Sequence, residues 1–398
     1  MDPLSTDRKI LFSLFLLGFF AIFSTTLSKS PVLPLFAQAL GSGNATLGMI
    51  SAVSPFAGIL FSFPIGVLSD KLGRRRLLIV SGLVFVIAPL LYLFISDPLM
   101  LIPVRFFHGV GTAILGPVVA ALLVDRFPLR KGEVLGQYSS ATLMGRSLAP
   151  LTGGIIISYF AAYPGLISYQ VVYFVAFLVA IPAFVITLFY SEKDHQEIVF
   201  LHFKEFTLSF RTFIGDRVLR ATALVEMATY FSFGAFETFL PVFLFDRGFA
   251  AFEIGIIFAV QVVLMAVTKP LFGRVADRVN KRFQILAGLF MIGVSVAIIP
   301  YFSQFSAFLL LSVTTGFGLS LSTVATGAYT GEIAANKEMG ASMGALSSTM
   351  DIGHSLGPLI TGLIIGYTMS YTAGFMAGLV LTLFTAVFFI WSGINAKT

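Results

Sequence analysis

Apolar runs of about twenty residues, separated by short polar clusters, recur from one end of the chain to the other. Twelve can be drawn: Ile10–Ala39, Thr46–Ser69, Leu77–Ile95, Leu99–Val124, Val134–Phe160, Gly165–Tyr190, Leu219–Phe245, Phe252–Arg274, Phe283–Phe302, Phe305–Gly331, Met339–Gly366 and Tyr371–Gly393. Several carry no charge at all, as between Thr46 and Leu68 or Leu77 and Ile95. A helix needs about 20 residues to cross a hydrocarbon core about 30 Å thick. The pattern therefore predicts an all-α membrane protein with twelve spanning helices. The first run follows the short polar stretch Met1–Lys9 and continues through Pro31 and Pro34 with no small-residue cleavage site. It reads as a retained first helix, not a removed leader.

One long polar stretch, 191–217, interrupts the series and divides the chain into predicted bundles 1–190 and 218–398. Its Phe200, Phe203, Phe206, Phe210 and Phe213 recur at three- and four-residue steps among charges. That spacing predicts an amphipathic helix lying on the membrane surface.

Composition agrees. Of 398 residues, 57% are apolar and 11% charged, against about 25% charged in soluble domains. A net charge of +6 would suit a nucleic-acid partner if the cations shared one soluble face, but their positions say otherwise. With the N-terminus inside, 20 of the 25 Lys and Arg fall on the cytoplasmic side, Arg247 alone in an outer loop, and Lys29, Arg105, Arg146 and Lys269 within helices. This excess predicts a multi-pass protein of the cell membrane with both termini cytoplasmic, its loops facing anionic lipid and no nucleic acid. Zero cysteines exclude disulfides and thiolate chemistry. Only four histidines are present, with His195 and His202 in the linker, and no phosphate-binding loop or nucleophile–base set is found. The expectation is therefore no metal, no cofactor and no enzyme.

The halves repeat. Pro34 matches Pro241, Gly66 matches Gly273 and Asp70 matches Asp277, all at 207 residues (241 − 34 = 207). Gly109 and Gly111 match Gly316 and Gly318 at the same offset. At 208, Gly132, Gly136, Ser139, Ser140, Gly145 and Pro150 match Gly340, Gly344, Ser347, Ser348, Gly353 and Pro358. One offset with a single slip predicts two similarly folded six-helix bundles.

Between the second and third runs lies a charged clasp, Gly66-Val67-Leu68-Ser69-Asp70-Lys71-Leu72-Gly73-Arg74-Arg75-Arg76. It resembles the loop signature of the major facilitator superfamily, G-x-L-a-D-r-x-G-r-K/R, with Gly66, Leu68, Asp70, Gly73, Arg74 and Arg75 or Arg76 on the pattern. The second copy, Gly273–Arg282, has Asn280 in place of the glycine. Arg105–Gly111 resembles R-x-x-q-G-x-g, with His108 at the usual glutamine. Gly145–Gly154 resembles the G-P-x-x-G-G motif of drug/proton antiporters, with Ala149 at its first glycine. Together these resemble the twelve-helix drug:proton antiporter branch. The resemblance implies a monomeric secondary transporter of a small-molecule substrate, powered by the proton gradient. It also implies a switch at Asp70, Gly73 and Arg74 that holds the cytoplasmic side shut, so that Asp70→Asn favours the inward-open form.

Charges inside the bilayer need a partner, a water cavity or a task. Counting along each helix predicts three layers: Glu226 with Lys269 inside, Arg146 with Asp351 and His354 in the middle, and Lys29 and Arg105 with Glu237 outside. Glu226 and Lys269 fit a static ion pair between adjacent helices. The repeat aligns Arg146 with His354 (354 − 146 = 208), so they are expected to face one another across a central cavity, as a gate or a structural lock. Glu237 and Asp351 are the proton-coupling candidates, with no choice between them. In the antiporters that acid commonly sits in the first helix, where this chain has Lys29. Arg105 acts electrostatically, by influencing a neighbouring acid or attracting an anion. The cations Lys29, Arg105 and Arg146 in one half and the acids Glu226, Glu237 and Asp351 in the other suit a zwitterion or an anion with an apolar body. The reading that follows is a proton-coupled exporter of amphipathic molecules, a multidrug antiporter type; the alternative is a uniporter or importer of an organic anion.

Overall fold

The computed structural model describes residues 3–190, 215–276, 278–334 and 339–394. The predicted linker helix lies outside them, as does the Asp70 side chain. Among the described residues there are thirteen α-helices and no strand: α1 (Pro3–Leu27), α2 (Val32–Ala39), α3 (Asn44–Leu72), α4 (Arg74–Tyr92), α5 (Leu101–Arg126), α6 (Lys131–Tyr159), α7 (Ile167–Phe189), α8 (Arg217–Phe245), α9 (Ala251–Ala276), α10 (Lys281–Ala297), α11 (Phe305–Ile333), α12 (Met339–Thr368) and α13 (Tyr371–Ile394). The chain is an all-α membrane protein.

The first run is not one helix. Pro31 has no N–H to give, and a residue preceding proline disfavours the helical conformation. The chain leaves α1 at Leu27 and restarts α2 at Val32, with Lys29 in the gap. Among the described residues, nine helical spans are long and apolar enough to cross a membrane. By that measure α6, α10 and α12 fall short. The α10 helix has 17 residues, while α6 and α12, mates in the repeat, are diluted by serine, threonine, glycine and the charges at Arg146, Asp351 and His354. Apolar side chains left on the surface of α13 mark a lipid-facing stripe: Val380, Phe384, Val387 and Trp391 recur at four- and three-residue steps and are each more than half exposed.

Two compact units divide the chain. The first contains Met1–Ser42, Phe56–Val199 and Gly248–Ala259; the second contains Gly43–Pro55, Phe200–Arg247 and Val260–Thr398. Leu14, Leu17, Phe85, Leu115, Val119 and Leu122 pack the core of the first. Val225, Ile285, Leu289 and Phe389 pack the second. The starts of α3 and α9 each join the unit opposite to the rest of their helix, and close crossings on glycine explain why. In the second unit a Cβ on Gly48 would strike the Pro358 carbonyl of α12 and stand 3.1 Å from Gly362 Cα. In the first, a Cβ on Gly255 would stand 2.7 Å from the Pro150 carbonyl of α6 and 3.3 Å from Gly154 Cα. The two crossings are repeat mates (255 − 48 = 207; 358 − 150 = 208).

The clasp and its copy start their helices differently. Gly73, at φ +81°, turns the chain into α4 in a conformation that costs glycine nothing. Asn280 stands 207 residues on and caps α10 instead, its side chain accepting from Arg282 N at 3.0 Å. The second clasp keeps the break and changes the chemistry that makes it.

Candidate functional site

In the second unit, Gly353 and Gly357 let α12 press against the Met227 and Phe231 carbonyls of α8. This crossing brings His354 to Glu237, with Nε2 and Oε2 2.9 Å apart. Both side chains keep some exposure, 17% and 14%. The Tyr230 and Phe233 rings stand 6.0 and 5.6 Å from the imidazole. Residue counting puts Glu237 in an outer layer with Lys29 and Arg105, and His354 in a middle one; the structure joins Glu237 to His354. Counting assumes that every helix enters at the same level. The glycine crossing sets Gly234 against His354, where an added Cβ would stand 3.3 Å from the ring's Cδ2. Glu237 follows three residues on, and its side chain leans back toward the helix N-terminus and the imidazole. Asp351, half-buried, lies about one turn before His354 on α12.

Glu226 is 5% exposed, and its Oε2 accepts from Thr326 Oγ1 of α11 at 2.6 Å. Lys269 lies within electrostatic reach. One turn along, Thr229 and Ser322 hydroxyls meet at 3.0 Å. The expected α8–α9 pairing is thus joined by a third helix, and buried hydroxyls carry part of the cost of burying the carboxylate.

In the first unit, Arg105 on α5 is 1% exposed. Tyr92 of α4 lies beside the guanidinium, and His108 and Tyr173 fall within its electrostatic reach. Tyr92 stacks on Tyr173 at 4.3 Å, and His108 Nε2 meets Thr25 Oγ1 of α1 at 2.9 Å. Lys29 is half-buried in the break that follows. Arg146 is exposed on α6. No group of three or more metal-ligating side chains occurs among the described residues.

At the clasp, Arg74 pairs with Asp125 at the end of α5, 2.5 Å apart. In the second unit Lys281 pairs with Glu332 at the end of α11, also 2.5 Å apart. Both partners keep the repeat offset (281 − 74 = 207; 332 − 125 = 207). Arg75 donates to the Leu188 carbonyl near the end of α7, while Arg282 donates to Phe389 and Ile390 carbonyls near the end of α13. Cations here sit favourably at the negative ends of those helices. Each clasp therefore ties together the helices of its own unit. Sequence reading centred on Asp70 missed these pairs, although applying the 207 offset to every charge would have found them.

Comparison with known proteins agrees with this architecture. The model of the Major Facilitator Superfamily matches residues 14–260 and 222–395. An uncharacterised MFS-type transporter of Methanocaldococcus jannaschii is 25% identical over 305 residues, covering 75% of this chain and 76% of that protein. Multidrug resistance protein 2 of Bacillus subtilis is 23% identical over 347 residues, 83% of each chain. Among solved structures, the nucleoside transporter NupG superposes with a TM-score of 0.79 over 97% of this chain and 98% of that one, at 11% identity, a likeness of fold alone.

Proposed function

The chain belongs to the Major Facilitator Superfamily, and from that premise we propose that it is a proton-coupled exporter of amphipathic small molecules working by rocker-switch alternating access. It is a membrane transporter and not an enzyme. The observation that carries the proton-coupled part is the Glu237–His354 contact at 2.9 Å. A carboxylate and an imidazole at that distance hold a proton between them and release it when a charged solute or a changed environment alters the balance. Asp351, a turn away on the same helix, is the second acid of the relay. Glu226 and Lys269, joined by Thr326, brace the α8 side of the unit. The multidrug-resistance name of the Bacillus subtilis relative supports export of varied apolar molecules.

The placement of deep cations, Lys29, Arg105 and Arg146, in one half and deep acids in the other supports a zwitterionic or anionic solute with an apolar body. It also favours the second reading, a uniporter or importer of an organic anion. The proton gradient is the energy source, both termini are cytoplasmic, the clasp residues Asp70, Gly73 and Arg74 act as the switch, and the working unit is a monomer. The test is uptake into proteoliposomes with a fixed pH gradient, across cationic, anionic and neutral solutes of similar size. Solute-driven proton flux with anions and zwitterions preferred is the expected result. Transport indifferent to the gradient selects the uniporter, and strict preference for lipophilic cations removes the charge argument.

A further inference from the structure

The first unit contains a cluster that proton coupling does not use. Tyr92, Arg105, His108 and Tyr173 are each 0–1% exposed, contributed by α4, α5 and α7. Arg105 Nε and Nη2, the hydroxyls of Tyr92 and Tyr173, and His108 Nδ1 make no well-formed hydrogen bond among the described residues. Among the described residues, the only fixed charge acting on Tyr92, His108 and Tyr173 is Arg105 itself. We infer that Arg105, Tyr92, Tyr173 and His108 form a buried binding site for a small monovalent anion.

The donor count argues for this. Nε supplies one N–H, Nη2 two, and the two phenols one O–H each, while guanidinium accepts nothing. The phenol oxygens and His108 Nδ1 can accept part of that surplus, Tyr92 from Arg105 among them, but none of them carries a negative charge to match the guanidinium; an anion does both. Guanidinium is also costly to bury without a countercharge. The walls are apolar: Phe36 meets Tyr173 at 5.2 Å and Phe85 meets His108 at 6.0 Å between ring centroids. A low local dielectric strengthens the attraction for whatever anion enters. The near-complete burial limits the occupant to a halide or to the carboxylate tip of a larger molecule. Thr25, bonded to His108, ties the site to α1 just before its break.

The test needs no transport, so it stands apart from the exporter reading. The purified full chain in lipid nanodiscs is titrated from gluconate into bromide, or into acetate, at constant ionic strength, and thermal unfolding is followed by far-ultraviolet circular dichroism. The expected result is a saturable rise of about 2 °C in the midpoint. A rise with bromide identifies a free halide as the occupant; a rise with acetate alone identifies a carboxylate group. In the Tyr92→Phe/Tyr173→Phe double variant, which keeps the cation and loses two donors, the concentration needed should rise about tenfold. Arg105→Gln should abolish the effect. If that variant does not fold, the double tyrosine variant decides alone. No rise with either anion, or an undiminished response in the variants, overturns the inference.

Discussion

Glu237→Gln is expected to reduce solute-driven proton movement in proteoliposomes by about 100-fold or more, the scale on which positioned acid–base groups act. The amide keeps the volume of the side chain and an oxygen that can accept from His354, so the contact survives while the titratable proton does not. Solute binding should change no more than about threefold. His354→Gln should fall between the variant and the wild type, because Glu237 retains its acid but loses the imidazole now 2.9 Å away. A pH-sensitive dye trapped inside the vesicles reads the result. Wild-type proton movement in the Glu237→Gln protein would remove Glu237 from the coupling path.

The second large effect is structural. Gly353→Leu and Gly357→Leu each add a side chain where α12 meets the carbonyls of Met227 and Phe231, with backbone and not a flexible side chain in the way. Overpacking costs about 1–3 kcal/mol and more where the obstacle is backbone that cannot give way, and the same crossing positions His354. Both variants should lose the monodisperse folded protein or unfold well below wild type. Gly344→Leu on the same helix, where nothing lies within 4 Å of an added Cβ, is the control. It should be neutral or slightly stabilising, since leucine favours helix over glycine by just under about 1 kcal/mol. Size-exclusion profiles and unfolding midpoints decide, and a Gly353→Leu protein as stable as Gly344→Leu would show that the close crossing is not needed.

Much of the fold was legible because spanning helices are a question of length and apolarity. Runs such as Leu77–Ile95 and Tyr371–Gly393 correspond closely to α4 and α13. The repeat was equally plain, since Gly145 and Gly353, or Pro150 and Pro358, must recur if the same crossing is built twice. What the sequence reading lost was local. Pro31 was visible, but its power to split α1 from α2 was not weighed against the apolar run around it. Asn280 looked like a lost glycine because side-chain capping and a positive φ solve one problem by different chemistry.

The candidate sites were less legible because pairing inside a bundle depends on register and lean, which residue counting does not contain. Glu237 and His354 are 117 positions apart and meet only through the glycine crossing beneath them. Thr326 gives no sign in the sequence that it serves Glu226, since its hydroxyl is one of many on α11. Arg105 was recognisable as a buried cation, but its aromatic hydroxyl neighbours come from α4 and α7, where tyrosine reads as ordinary packing. The mirrored pairs Arg74–Asp125 and Lys281–Glu332 were within reach, because the offset that relates them had already been measured on glycines.

Proton release on solute binding, measured in weakly buffered solution with the purified chain, tests the central claim most directly. If Glu237 and His354 trade a proton against the solute, binding should displace about one proton per solute over part of the range from about pH 5 to 9, and the Glu237→Gln protein should displace none. A wild-type protein that binds its solute with no proton displaced anywhere in that range would contradict it.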